Sequence, residues 1–143
     1  MTVELILAQK GRDVHTASTR HSLQEVAAEL ARRGIGALVV LGDADEVVGV
    51  IGERDIVSAV AQHGCDALSQ DVASYMATSF SFVSERDTVD HAATIMTNAR
   101  ARHLPVLRDG RLVGVISIGD VVKRRIEQID AERKALHDYI TSA

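Results

Sequence analysis

The chain carries an internal duplication, and this limits what it can fold into more than any other feature. Gly49-Val50-Ile51-Gly52-Glu53-Arg54-Asp55-Ile56-Val57 returns sixty-five positions later as Gly114-Val115-Ile116-Ser117-Ile118-Gly119-Asp120-Val121-Val122. Upstream, at a shift of sixty-six, Ser22, Leu23, Val26, Ala27 and Leu30 fall on Thr88, Val89, Ala92, Ala93 and Met96. Leu38-Val39-Val40-Leu41 falls on Leu104-Pro105-Val106-Leu107. The shift changes by one residue between Gly42 and Val48, where a turn can absorb it. A duplicated unit of this size predicts pseudo-two-fold packing with two related clefts between the halves.

Each copy has the same order of periodic signals. A short apolar helix pattern, Val3, Ile6 and Leu7, precedes the first copy, and Val72, Tyr75 and Met76 repeat it before the second. Extended segments follow at Val14-His15-Thr16 and Phe80-Ser81-Phe82-Val83. Ser22 with Glu25 forms a capping-box pattern that opens a helix ended by Gly34, and Thr88 opens its counterpart. Two strands come next in each copy, Ala37 to Leu41 with Val47 to Ile51, and Leu104 to Leu107 with Leu112 to Ile116. Asp109-Gly110 between apolar runs is a hairpin signal. Pro105 has no N–H to donate and belongs at a strand start or edge. A helix from Glu53 and another from Ile118 close the copies. Each unit reads β-α-β-β-α, an α+β architecture, with a first repeat at residues 1–66 and a second at 67–143. Gln62 to Gln70 form the link. The last helix outruns the repeat and keeps an apolar stripe at Val122, Ile126, Ile129, Leu136 and Ile140, which must pack on the N-terminal helix or on another subunit.

The 143 residues suffice for one domain with a real core. Aromatic residues make up only 3% of the chain, so that core is aliphatic. A net charge of −4 argues against a nucleic-acid binder. Cys65 stands alone, which excludes an intrachain disulfide and fits a reducing compartment. With no signal peptide and no apolar run of about 20 residues, a cytoplasmic, non-membrane protein is expected. The histidines lack metal-ligand spacing, and His63-Gly64-Cys65 is incidental. Gly34-Ile35-Gly36 precedes a strand, whereas a dinucleotide fingerprint follows one. Ser117 has no evident base beside it, so acyl-transfer chemistry is not indicated.

The repeat length, the β-α-β-β-α order and the run Arg102-His103-Leu104-Pro105-Val106 through Ser117-Ile118-Gly119-Asp120 together resemble the CBS-domain pair, or Bateman module. The first copy, through Gly49-Val50-Ile51-Gly52-Glu53-Arg54-Asp55-Ile56, is a looser match. The resemblance covers nearly the whole chain. It implies a regulatory module, without catalysis, that binds AMP, ADP, ATP, NAD or S-adenosylmethionine between its repeats, forms a homodimer and signals to an effector protein. A ligand-free structural or dimerisation module is the alternative.

Ser117 lies between a strand and a helix, so unpaired N–H groups and its hydroxyl can meet an anion. Asp120, one turn on and past Gly119, can accept from ribose hydroxyls. The same pair can equally be a helix cap, worth about 1 kcal/mol. Asp55 repeats Asp120, but Gly52 replaces Ser117, which weakens the first site. Arg102, His103 and Arg54 are candidates to face phosphates. The resemblance places adenine contacts at Thr16, Ala17, Phe82 and Val83, with Val50, Ile51, Val115 and Ile116 as an opposite wall.

Overall fold

The computed structural model describes residues 1–142. Helix α1 (Val3–Lys10) leads into strand β1 (Thr16–Ser18), helix α2 (Leu23–Arg33), the β2 (Ala37–Leu41) and β3 (Val47–Gly52) hairpin and helix α3 (Glu53–His63). Two 3-10 turns, Gly64–Ser69 and Val72–Ser74, connect to helix α4 (Val89–Ala99), the β4 (His103–Arg108) and β5 (Arg111–Ser117) hairpin, and helix α5 (Ile118–Thr141). The order is the duplicated α+β order expected, with the long C-terminal helix in place.

Local signals account for the boundaries. Ser22 Oγ accepts from Glu25 N at 3.1 Å, and Thr88 Oγ1 accepts from His91 N at 3.0 Å. The Glu25 carboxylate does not return the bond; it lies 3.9 Å from His21. Gly34 ends α2 at φ 63°, where a side chain is disfavoured. Asp109 (φ 51°) and Gly110 (φ 78°) supply the two positive φ values of a type I′ hairpin turn.

Two expected elements are reduced. Residues 80–83 form no strand and make a single parallel bridge, Val83 to Val106. Pro105 is the reason. It takes the place that Val39 holds in the first repeat, where β1 pairs with β2. Without an N–H it cannot carry the ladder on toward Ser81. Pro105 is the third residue of β4, on the side that has no full strand partner. The Val72, Tyr75 and Met76 pattern, which echoes α1, forms no α-helix: Val72 opens a 3-10 turn that ends at Ser74, before Tyr75 and Met76.

Two aliphatic cores result, and each is completed by a segment that leads into the other repeat. Leu23, Val26, Leu30, Leu38, Val40 and Ile51 pack with Ala67 and Val72 of the connection. Val89, Ala92, Met96, Leu104, Val106 and Ile116 pack with Val3, Ile6 and Leu7 of α1. Backbone bonds pin both exchanges in the same way. Val3 N donates to Asp87 O and Val89 N to Met1 O; Val72 N donates to His21 O and Leu23 N to Gln70 O. The repeated glycines make room. A Cβ on Gly114 would lie 2.6 Å from Leu7, and one on Gly49 would lie 2.8 Å from both the Met76 sulfur and the Ala77 carbonyl oxygen.

Gly49→Ala is therefore expected to lower stability by about 1–3 kcal/mol through overpacking. Gly119→Ala, inside helix α5 with only the Ser117 hydroxyl at 3.6 Å, should raise it by about 0.5–1 kcal/mol. Urea denaturation of the two variants checks both signs.

Candidate functional site

Two clefts lie along the line where the repeats meet, with volumes of about 330 and 350 Å³. Each draws on both repeats. The first is lined by Lys10, Asp13, Val14 and His15, by residues 34–39 and Val50, and by His103, Pro105, Val115 and Ser117. The second is lined by Gly52, Glu53, Arg54 and Asp55 at the start of α3, by Phe80 and Ser81, and by residues 99–103. The Ser117 and Asp120 motif thus works with the lead-in of the first repeat, and Asp55 works with the lead-in of the second.

The first cleft is built from the β5–α5 junction. Ser117 is the N-cap of α5: its Oγ accepts from Asp120 N at 3.2 Å, and its N–H donates to Asp120 Oδ2 at 2.8 Å. The capping reading of this pair is satisfied in full. The hydroxyl proton is not used by that bond, so Ser117 can still donate into the cleft. Asp120 itself stands beside the cleft, under Lys10, and not on its wall. Lys10 Nζ donates to Asp120 Oδ2 at 2.7 Å and to the Val115 carbonyl at 3.0 Å. Burial pushes the Asp120 carboxyl up, but the bond from Lys10 and the Ser117 N–H outweigh it and hold it below the usual aspartate range.

Glu85 fixes the approach to this cleft. Nearly buried, it accepts from Arg12 Nη2 at 2.6 Å and from Arg108 Nε at 2.7 Å. The Arg12 bond, opposed by burial and helped by Arg108, keeps its carboxyl below the usual glutamate range. The segment that carries Asp13, Val14 and His15 is thereby tied to the second repeat.

The second cleft is chemically different. Asp55 Oδ2 accepts from Gly52 N at 2.8 Å, the half of the box that glycine permits. Arg54, Arg100 and Arg102 line it together with Glu53 and Asp55. His103 lines both clefts. Burial lowers its pKa, Lys10 and Arg102 lower it further, and Asp120 and Glu53 oppose them.

Of the residues singled out from sequence, Ser117 lines the first cleft, Asp55, Arg54 and Arg102 the second, and His103 both. The others stand elsewhere. Ala17, Val83 and Ile116 are buried in the two cores. Thr16 and Phe82 lie outside both linings, where Val14, His15, Phe80 and Ser81 stand in their stead. Gly119, in the first turn of α5, is on neither lining. The strand alternation explains the walls: Val50 and Val115 face the clefts, while Ile51 and Ile116, one residue on, face the cores. Lys10 and Arg100 were missed. Arg100 had a signal, because it holds the place of Gly34 in the duplication and adopts the same left-handed backbone at φ 52°. Lys10 had none, since its partners are more than 100 positions away.

Among the described residues there is no cluster of His, Cys, Asp or Glu that could hold a metal ion, and no helix long and apolar enough to cross a membrane.

Removing the Lys10 ammonium leaves burial to act on Asp120 and takes a repelling cation from His103. Lys10→Met is expected to move both pKa values upward in an NMR pH titration. The sign for stability follows: the pair stabilises the fold above the ordinary aspartate pKa, and this is lost as pH falls through the lowered value.

The sequence and the fold both have close relatives. The CBS domain family model matches residues 10–62 and 72–127. A CBS-domain containing protein of Agrobacterium tumefaciens is 44% identical, with a TM-score of 0.84 over 87% of this chain and 92% of that one. A mitochondrial CBS domain-containing protein of Arabidopsis thaliana is 28% identical over 97% of this chain and 71% of its own length. The CBS domain pair of protein MJ0100, solved in complex with 5′-methylthioadenosine and S-adenosyl-L-methionine, shares the fold at 23% identity, with a TM-score of 0.75 over 90% of this chain and 98% of that one. With two matched repeats, two crossed clefts and these relatives, the chain belongs to the CBS domain family and forms a CBS pair.

Proposed function

We propose that this CBS pair is a regulatory module that binds an adenosine-containing ligand between its repeats and passes the binding state to a separate effector protein. CBS pairs are generally regulatory, and the MJ0100 pair was solved with two adenosine compounds. The observation that carries the reading is the first cleft: apolar walls from Val39, Val50 and Val115 beside a helix N-terminus, the Ser117 hydroxyl and the Lys10 ammonium. Apolar walls suit a purine, and the N-terminus with a cation suits a phosphate. A ligand whose ribose reached Asp120 would take the place of Lys10 on that carboxylate, and this exchange ties occupancy to the position of α1.

The second cleft, lined by three arginines and two acidic residues, favours a phosphorylated adenosine (AMP, ADP, ATP or NAD) over the cationic S-adenosylmethionine. Signalling requires only that the ligand bind one arrangement of the repeats better than another. An enzyme reading has no bonded catalytic pair behind it: His15 and His103 share the first cleft with Ser117, but the Ser117 hydroxyl oxygen accepts from Asp120 N and is bonded to neither imidazole, and ATP or NAD incubated with the protein should be recovered intact.

A specific observation favours the second reading, a ligand-free structural module: Asp120 is already engaged by both Ser117 and Lys10. A thermal-shift panel of AMP, ADP, ATP, NAD and S-adenosylmethionine separates the two. A ligand present at about 100 times its Kd adds roughly 2.7 kcal/mol. The shift is expected to be weakened by Asp120→Ala if the first cleft binds, or by Arg102→Ala if the second does. No shift with any compound would favour the structural module.

A further inference from the structure

We infer that Glu85 is a positioning residue for the first cleft: it holds the wall from Asp13 to His15 in place, and the fold itself does not need it. Among the described residues Glu85 is the one buried charged side chain. Each carboxylate oxygen takes its own guanidinium, Oε2 from Arg12 at 2.6 Å and Oε1 from Arg108 at 2.7 Å. The duplication shows what the fold requires at these places. Glu85 repeats Thr19, and Arg108 repeats Gly42. The first repeat therefore forms the same hairpin and the same helix start with no ion pair there. A buried ion pair is also a poor source of stability beside packed apolar groups.

What differs between the repeats is the lead-in segment. Leu7 fills the room at Gly114 as Met76 does at Gly49. Ten positions separate Leu7 from Ala17, which pairs with Val40, but only seven separate Met76 from Val83, which pairs with Val106. The first lead-in is longer, and it is mounted differently. The second is pinned at once by backbone: Val50 N donates to Ala77 O at 3.1 Å, and Ala77 N to Val50 O at 2.9 Å. The backbone of Arg12, Asp13 and Val14 makes no such bond. Side chains hold this stretch instead, Lys10 on Asp120, Arg12 on Glu85 and His15 beside Arg33. Glu85 is less exposed than Asp120, so water and salt screen its bond less. The stretch carries Asp13, Val14 and His15 into the lining of the first cleft. A loose wall must be ordered when a ligand binds, at a cost in affinity, and a wall ordered beforehand avoids that cost.

The wall can be measured in the full chain without any ligand. Amide order parameters of Asp13, Val14 and His15 from NMR relaxation should fall from the rigid value of about 0.85 to below about 0.6 in Glu85→Thr. Those of Ser79 to Ser81 should not change, and the cooperative thermal transition should be retained. Arg12→Thr, which alters a side chain at the surface, should give the same loss, and the double variant no further loss, because all three remove one bond. The effect on affinity rests on the nucleotide reading above. AMP binding reported by the Ser117 amide should weaken at least about tenfold in either variant, while any reported by the Asp55 amide stays as it was. A wall already mobile in wild type, a wall that stays ordered in both variants, or AMP bound at Ser117 equally tightly in all of them would overturn the positioning role. Loss of order as expected, with no response of Ser117 to AMP in wild type, would support that role and sink the nucleotide reading of the first cleft.

Discussion

The exchange of lead-in segments is the constraint on which the rest of the structure depends. Neither repeat closes its own core. The second takes Val3, Ile6 and Leu7 from α1, and the first takes Ala67 and Val72 from the connection. Burying one Leu-sized side chain is worth about 1.5–3 kcal/mol, so three such anchors in one core are a large share of the stability of a domain this size. The same exchange draws the segment after α1 across the second repeat, where Glu85 holds Arg12. That places Lys10 over Asp120. The clefts are crossed because the cores are crossed.

Symmetry of backbone has not preserved symmetry of chemistry. The carbonyl of Val50 accepts from the Ala77 N–H, whereas that of its repeat mate Val115 accepts from the Lys10 ammonium. Gly34, Gly36 and Ala37 in the first repeat answer to Arg100, Arg102 and His103 in the second. One fold therefore presents a cleft with a hydroxyl and a lysine, and another with arginines and a bare glycine. Equal affinity of the two for one ligand is not what these side chains provide.

The duplication made the fold legible. Helix caps at Ser22 and Thr88, the Asp109-Gly110 turn and the alternation around Val50 and Val115 are all local, and local chemistry decides them. The β5–α5 junction was legible for the same reason, since Ser117 and Asp120 are three residues apart. What could not be read was set at a distance. Lys10 reaches Asp120 through tertiary packing alone. The cleft contacts expected at Thr16 and Phe82 belong to residues one to two positions earlier, because strand edges set by Pro105 and β2 determine which residues turn outward. The stripe on α5 was visible at once, but its exposure along the whole protruding half was a matter of where the body ends.

The position of α1 also has a bearing on the order in which the molecule assembles. Val3 bonds to Asp87 and packs beside Val121, so the first helix to be made must wait for almost the last segment of the body before it finds its place. The entropy of closing so large a loop grows only slowly with its length, but contacts this distant in sequence slow the search for the native state. The two repeats, alike as they are, rise and fall as one cooperative unit, and a break near the amino end of the chain would be felt first in the half that lies farthest from it.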